Sequence, residues 1–499
     1  MIQKIPLPVK NVIETLQKAG FEAFAVGGCV RDLLLGRSPK DWDVTTDATP
    51  EKILAIFPDS FYENEFGTVG VKVDRFLATT PVSYEHDIIE VTTYRTESQY
   101  EDKRRPNTVN FTLSLVEDLA RRDFTINALA YGPDKTGEWS LIDPFNGAAD
   151  LEKKIIRTVG NPEERLNEDA LRLMRAVRFF AELRDPQETR PTHSWYIEED
   201  TFRAVQKLAK NLALVSQERI RDELSRIILS ASPSEGIDML QKTGLLHFIL
   251  PELELGIGVT QNLHHIYTVW EHNLRALATC PSAKLDVRLA ALLHDVGKPH
   301  TKRGEGYNST FYNHDHVGAR VTEKALTRLR FPKAIIQKAT LLVDNHLFYY
   351  NVDEVTEASV RRLIKRVGLE NMDDLMAVRI GDRLGSGVPK AKPYKLRHLE
   401  YMIEKVSQDP VSVKMLAIKG TDLIHDLQIP AGPKIGAILD VLLSEVIEDP
   451  KQNTKEALLK RADTLNASDL ETLRSKAQEK IEGKRKEEDQ EIKKRHWVE

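Results

Sequence analysis

Asp41 and Asp43, in the segment PKDWDVTT, carry two carboxylates spaced at i and i+2. On a strand that spacing points both side chains to one face. Like charges so close repel unless a cation lies between them, and hard divalent ions such as Mg²⁺ favour oxygen surroundings. A third acid, Glu90 in IIEVTTY, sits inside an apolar, β-branched run where an unpaired carboxylate is costly. Three acids on neighbouring strands would hold two metal ions roughly 4 Å apart, the arrangement used for in-line displacement at phosphorus. Upstream, the strand FEAFAV runs into Gly27-Gly28 and then the helical pattern CVRDLLLG. Two glycines at such a junction let backbone approach a phosphate closely, and Arg31 on the first turn reaches the same anion.

A second constellation opens the helical pattern EDALRLMRAVRFFAEL, where Glu168, Asp169 and Arg172 are followed by Arg175 and Arg178. Residues at i and i+3 are neighbours on a helix, so Asp169 and Arg172 present an acceptor and a donor side by side. Cytosine shows an amino donor next to an acceptor nitrogen, and so does adenine; uracil and guanine show the reverse order. An Asp-x-x-Arg pair therefore accepts C and A and rejects U and G. The same spacing also makes an ordinary helical ion pair, and spacing alone does not separate the two.

The third constellation is rich in histidine. Eight of the chain's fourteen histidines fall between His264 and His346. His272, His294-Asp295, His314, His346 and Asp382 lie on successive helical segments, with His316 competing with His314 for its place. Imidazole and carboxylate together suit transition metals such as Ni²⁺, Co²⁺ or Mn²⁺, and a helical bundle can converge them. A metal-bound water there would attack a phosphate ester or cyclic phosphate.

The elements that must carry these residues divide by pattern. Residues 1–150 read as mixed α/β, with short β-branched strands between Gly, Pro and Asp turns. Residues 151–260 are helical, and residues 261–400 are helical and hold the histidines. Residues 401–499 form a helical tail, with a Pro-Ala-Gly-Pro break and a last thirty residues of mixed charge that read as a solvated helix or as disordered. The expected fold is a multidomain chain with an α/β head followed by all-α neck, body, metal-binding and tail regions. At 499 residues the chain is too long for one core.

Bulk composition excludes little and directs less. The net charge of −5 does not advertise nucleic-acid binding, so basic clusters such as Lys103-Arg104-Arg105 and Arg121-Arg122 matter more than the total. No apolar run reaches the length of a membrane span, and the N-terminus lacks the pattern of a signal peptide. Two cysteines in unrelated segments, Cys29 and Cys280, suggest neither a disulfide framework nor a zinc knuckle. A cytoplasmic location is expected.

The collinear motifs VGGCVRDLLLG, PKDWDVTTDATP, EVTTYR, DLARRDFTINALAYG, LIDPFNG, RLNEDALRLMRAVRF and SQERIRDEL run from about residue 20 to 260. Together they resemble the class II form of the bacterial tRNA nucleotidyltransferase and poly(A) polymerase family, in the polymerase-β superfamily. The resemblance implies a nucleotidyltransferase head in which Gly28 and Arg31 bind triphosphate and Asp41, Asp43 and Glu90 are catalytic, the two aspartates holding Mg²⁺. It also implies that Arg122 contacts the incoming nucleotide and that Asp169 and Arg172 read its base, with Arg175 and Arg178 along triphosphate or RNA. Cys29 stands where the family commonly has alanine. The segment between Glu90 and Asp123 looks full length, which favours CCA addition or A addition over CC addition. The His…His-Asp…His…His…Asp order resembles the HD phosphohydrolase superfamily, with His314 preferred for its HxxxG spacing to Gly318. The implied partners are tRNA, ATP and CTP, with no membrane. A poly(A) polymerase, and an RNA-binding phosphohydrolase with an inert head, are the alternatives.

Overall fold

In this computed structural model the described residues are 5–498, except 65–66, 75–85, 98–108, 135, 186–193, 263–265, 349, 353, 388–391 and 408–412. The chain packs as two compact units, Met1–His346 with Ala377–Gly387, and Leu347–Met376 with Val388–Glu499. This grouping differs from the four expected segments: the breaks at 150 and 260 fall inside the first unit, and the chain returns to that unit after leaving it.

The first unit contains a seven-stranded mixed sheet built from β1 (Ala23–Val26), β2 (Asp43–Thr46), β3 (Ser60–Asn64), β4 (Thr68–Asp74) and β5 (His86–Thr93), with two later strands. After the separate two-stranded ribbon of β6 (Arg95–Glu97) and β7 (Val109–Phe111), the sheet is completed by β8 (Ala130–Pro133) and β9 (Trp139–Ile142). Its order is β3-β4-β5-β2-β1-β8-β9. Only β2 and β5 pair in parallel; the other neighbours are antiparallel. A parallel pair needs a crossover, which the helix Pro50–Ile56 and the β3–β4 hairpin supply. β1 is buried at every position, as its AFAV sequence requires for a central strand. Phe24, Val26, Tyr94, Leu119, Ala130 and Val159 form a core on one side of it.

Beyond the sheet the first unit is helical. Asn161 caps the helix Pro162–Glu168 by accepting from the amides of Glu163 and Glu164. That helix ends at Asp169, whose extended backbone (φ −133°, ψ 109°) separates it from the helix Leu171–Leu183. Asp169 therefore does not share a helix with Arg172, contrary to expectation, because the chain turns between them. The second unit is all-helical, with Leu423, Ile438, Leu442, Leu465 and Leu473 buried together around the helix Pro433–Glu448. Its charged end forms the helix Leu470–Arg495. No described helix is long and apolar enough to cross a membrane.

Candidate functional sites

The parallel register of β2 and β5 sets Asp43 directly opposite Glu90. The strand begins at Asp43, so Asp41 precedes it in a bend and is exposed. Glu90 also corrects expectation. It alternates with buried Ile89 and Val91 and opens to solvent, so the sheet face, not the apolar run, surrounds it. Burial and the neighbouring Asp41 charge push the Asp43 carboxyl up to about 6 against the pull of Arg122. Partial burial and then the Asp43 charge push Glu90 up to about 7. Asp43 and Glu90 share one register position and both feel the charge of Asp41, and hard oxygen donors of this kind are what a divalent ion such as Mg²⁺ favours.

Next to the acids a cavity of about 450 Å³ is lined by Gly28, Arg31, Asp41, Asp43, Arg122, Asp169, Arg172, Arg175 and Arg178, with Arg121, Asp123, Asn127, Leu171, Phe179, Arg219 and Arg226. That volume lies in the usual range for small-molecule sites. Its lining carries eight arginines against four aspartates, so a net-negative chain holds a strongly positive cleft. Gly28, Arg31, Asp41, Asp43 and Arg122 line it, and Glu90 lies beside Asp43 on the next strand.

Each arginine is held differently. Arg31 donates to Asn127 Oδ1 at 2.8 Å and pairs with Asp32 at 2.8 Å. Arg122 leans on the buried carboxylate of Asp118 at 3.5 Å, and its Nη1 lies 2.8 Å from where a Cβ on Gly27 would sit. Gly27 has φ +80°, so glycine is needed there for conformation and for space. Arg175 donates to Asp123 at 2.6 Å. Burial alone would raise Asp123, but Arg175 and Arg172 outweigh it and hold the carboxyl at about 2. Arg178 is buried against Glu223 at 2.8 Å. The expectation that Arg175 and Arg178 lie along an anion thus meets two guanidiniums already paired with carboxylates.

Asp169 and Arg172 reach the same cleft without pairing with each other. Asp169 receives Arg219 through two bonds, 3.2 Å to Oδ1 and 2.7 Å to Oδ2, and its Oδ1 also accepts from the amide of Leu171 at 3.0 Å. Arg172 pairs with Glu168 and donates to the carbonyls of Arg165 (2.9 Å) and Arg121 (3.2 Å). Both groups are fixed in place by other residues, which suits recognition better than a mobile pair on a helix surface. Sequence reasoning missed Arg219 and Phe179. Phe179 carries Arg31, Arg175 and Arg178 within 5.2, 5.5 and 4.2 Å of its ring centre. Arg219 stands in the ERIRDEL motif, but nothing local in the sequence ties it to Asp169.

The histidines converge elsewhere in the first unit. A capping box between Thr268 and Glu271 starts the helix Val269–Thr279 and sets His272 on its first turn. His294 and Asp295 follow the helix Leu285–Leu293, and His314 opens His314–Arg328. His346 ends the helix Lys333–Asn345, and Asp382 comes from the returning segment Ala377–Gly387. All six are buried. His316 is exposed and paired with Asp344 at 2.6 Å, outside the cluster. Gly318 allows its helix to approach Gly297, where an added Cβ would lie 2.1 Å from the His314 carbonyl. His264 and His265 lie outside the described residues, as does the middle (98–108) of the segment judged full length.

Nδ1 of His294, His314 and His346 lies 2.9, 2.7 and 2.7 Å from the carbonyls of Ala291, Phe311 and Val343. An N–H donating there leaves Nε2 bare toward the centre, the usual orientation of a metal-binding imidazole. His272 Nε2 lies 3.0 Å from His294 Nε2 and 3.2 Å from Asp382 Oδ1. Donor atoms around one ion at about 2.1 Å are themselves about 3.0–3.4 Å apart, so the set fits a metal. Burial opposes the charge on His294, but Asp295 and Asp382 outweigh it and raise the ring to about 10. His346, farther from the carboxylates, is pushed down to about 3 by burial and the His294 charge.

A sheet-borne acid set beside an arginine cleft is the arrangement of a nucleotidyltransferase head. Family models agree: the poly A polymerase head domain matches residues 23–157, the probable RNA and SrmB-binding site of polymerase A matches 196–256, and a tRNA nucleotidyltransferase domain matches 317–462. The chain is 32% identical over 449 residues to a CCA-adding enzyme of Geobacillus thermodenitrificans, covering 90% of this chain and 94% of that one. It is 31% identical over 438 residues to an A-adding tRNA nucleotidyltransferase of Deinococcus radiodurans, covering 84% and 90%. The crystal structure of the Bacillus stearothermophilus CCA-adding enzyme in complex with CTP superposes with a TM-score of 0.57 at 27% identity, over 93% of this chain and 98% of that one. The chain belongs to the CCA-adding enzyme family, in its class II form, and is a tRNA nucleotidyltransferase.

Proposed function

We propose that this chain adds CCA, or its terminal A, to the 3′ end of tRNA from CTP and ATP with release of pyrophosphate. The observation that carries the reading is the single cleft shared by the acids, the anion-binding arginines and the fixed Asp169 and Arg172. Gly28 and Arg31 with Arg122 bind and orient the triphosphate. Asp169 accepts from the exocyclic amino group of cytosine or adenine, and a carboxylate has lone pairs for this beyond those that Arg219 uses. Arg172 donates to the adjacent ring nitrogen. Asp41 and Asp43, with Glu90 beside them, would hold Mg²⁺, which supplies charge neutralisation at the α-phosphate and lowers the pKa of the attacking 3′-hydroxyl. In this reading residues 1–150 are the head, 151–260 the neck and body that bind RNA, 261–400 the HD region and 401–499 the RNA-positioning tail of a cytoplasmic enzyme.

A second activity is favoured by the buried His/Asp cluster: metal-dependent hydrolysis of a phosphate ester or 2′,3′-cyclic phosphate, with Ni²⁺, Co²⁺ or Mn²⁺ as the candidate ion. A cyclic phosphate at a damaged 3′ end would block nucleotide addition at the same terminus.

The test is incubation with tRNAs ending at the discriminator base, at C and at CC, each with CTP, ATP or both. Full CCA addition predicts extension of all three. Extension of the CC-ended substrate alone would make the enzyme A-adding. Extension with ATP of RNAs lacking an acceptor stem would make it a poly(A) polymerase.

A further inference from the structure

The register that sets Asp43 opposite Glu90 continues across the sheet. Glu90 faces Gly70 on β4, and Gly70 faces Phe61 on β3. Partners in register point to the same side, and neighbouring strands lie about 5 Å apart, so these positions form one line leading away from the acids. Two residues along β5 and β4, the same face carries Ile88 opposite Lys72. All three side chains are exposed, Phe61 by 37% and Ile88 by 47%. They are not part of the core, which takes Val69, Val71, Ile89 and Val91 on the opposite face. Gly70 decides where the Phe61 ring goes. A Cβ there would lie 2.5 Å from Cζ of Phe61, so the tip of the ring fills the space another residue's side chain would take. Gly70 is not in the left-handed region, so space and not backbone freedom is what glycine supplies. The ring thus leans from β3 across β4 toward Glu90. A glycine inside a strand weakens it and often marks close approach of a ligand.

We propose that Phe61 is a stacking platform for the terminal base of the RNA strand being extended, with Lys72 drawing the phosphate that precedes it. The inference rests on the tRNA-extending reading given above. In that reading the attacking 3′-hydroxyl lies at Asp41, Asp43 and Glu90, so its own base lies within one nucleotide's reach of them. The arginine cleft is taken by the incoming triphosphate, and neither Phe61 nor Ile88 lines it. Both stand on the side of Glu90 away from Asp43 or along its own strand, where the strand being extended has room. Glu63 on β3 also sends its charge toward Glu90, and Lys72 offsets that charge for a phosphate. Every base has a π-face, so stacking on an aromatic ring tolerates any sequence. That tolerance is what a strand needs when its last base differs at each round of addition. Base reading can then belong to the incoming nucleotide alone.

The test pairs one side chain with one base. Full-length parent and Phe61→Ala are given ATP and a tRNA ending in CC, with its terminal cytidine either intact or replaced by an abasic ribose. KM for each RNA is measured beside kcat and KM for ATP. In the parent, loss of the base should raise KM for the RNA about tenfold, the order that stacking of a base on an aromatic ring supplies. Phe61→Ala should show that rise already with intact RNA and no further rise with the abasic one, while kcat and KM for ATP hold. Phe61→Tyr should behave as the parent and Phe61→Leu as the alanine variant, which separates stacking from packing. A base effect undiminished in Phe61→Ala, or a Phe61→Leu chain that matches the parent, overturns the platform and leaves the tRNA reading standing. A parent dimer that Phe61→Ala dissociates with KM for the RNA unmoved also overturns it, and assigns the face to a second copy of the chain. No extension of either RNA by the parent overturns both readings. Should Phe61→Ala fail to fold, Phe61→Leu decides the same comparison.

Discussion

Arg219 grips both carboxylate oxygens of Asp169 from fifty residues away, at 3.2 and 2.7 Å. The group proposed to meet the base is therefore aimed by a different helix from the one it precedes. Asp169→Ala should weaken discrimination against UTP and GTP more than it slows CTP, because the carboxylate also repels the carbonyls of the wrong bases. Arg172→Ala should slow CTP and ATP together by about ten- to a hundredfold, the worth of a charge-assisted hydrogen bond. Arg219→Lys keeps the charge but loses the two-point grip, so selectivity should fall while triphosphate affinity holds. Single-nucleotide addition with each of the four triphosphates measures all three variants. Unchanged selectivity in Asp169→Ala would place base reading elsewhere.

The acid set and the histidine cluster, each with its proposed activity, should fail independently. Asp41→Ala with Asp43→Ala should abolish nucleotide addition and spare hydrolysis of a cyclic phosphate. Asp295→Ala should do the converse, leaving addition within about twofold of the parent, as expected for separate sites. Loss of nucleotide addition in a folded Asp295→Ala chain would show that the clusters are coupled.

The motifs that sequence revealed are those whose parts are close along the chain. Gly-Gly-x-x-Arg, Asp-x-Asp and His-Asp each show their chemistry within a few residues, and the order of the histidines announced a converging bundle. For Glu90 the apolar run hid the alternation that turns every second residue to solvent. Asp169 and Arg172 were expected to stand side by side on one helix, and the extended backbone at Asp169 ends the first helix there instead. The placing of Phe179, the grip of Arg219 and the convergence of four histidines on Asp295 are relations between segments far apart in sequence, which periodicity does not encode. Spacing likewise gave no sign that Arg175 and Arg178 are held by Asp123 and Glu223.

Asp123 makes stability depend on acidity. Its carboxyl is held at about 2 in the folded chain against an ordinary value of 3.8. A depressed acid contributes stability that is fully present above its unfolded value and is lost as pH falls through the folded one. At pH 7 the contribution is on the order of 2 kcal/mol, so Asp123→Asn should lower urea stability by about that much and also leave Arg175 unpaired. The gap between parent and variant should be constant from pH 7 to 5 and narrow as pH falls from about 4 toward 2. A gap that widens on acidification would contradict the assignment.

Gly27→Ala should damage nucleotide binding before it damages the fold. The new methyl would sit 2.8 Å from Nη1 of Arg122 in a backbone conformation that costs an alanine about 1–3 kcal/mol. The expected outcome is a raised KM for both CTP and ATP, with a drop in melting temperature of a few degrees. Steady-state kinetics and a thermal melt on one preparation check this, and an unchanged KM would show that Arg122 relocates freely.

The lining of the cleft runs from Gly28 to Arg226, and that span sets an order of events at the ribosome. While the chain is being made, Asp41, Asp43 and Glu90 have all emerged well before Arg219, which grips both carboxylate oxygens of Asp169. A nascent chain stalled between those points carries the carboxylates proposed to hold Mg²⁺ without the grip that aims the one proposed to read the base. In the proposed reading, synthesis thus delivers the ion-holding residues before the grip on the base-reading one. The histidine cluster is completed last, when Asp382 returns to the first unit.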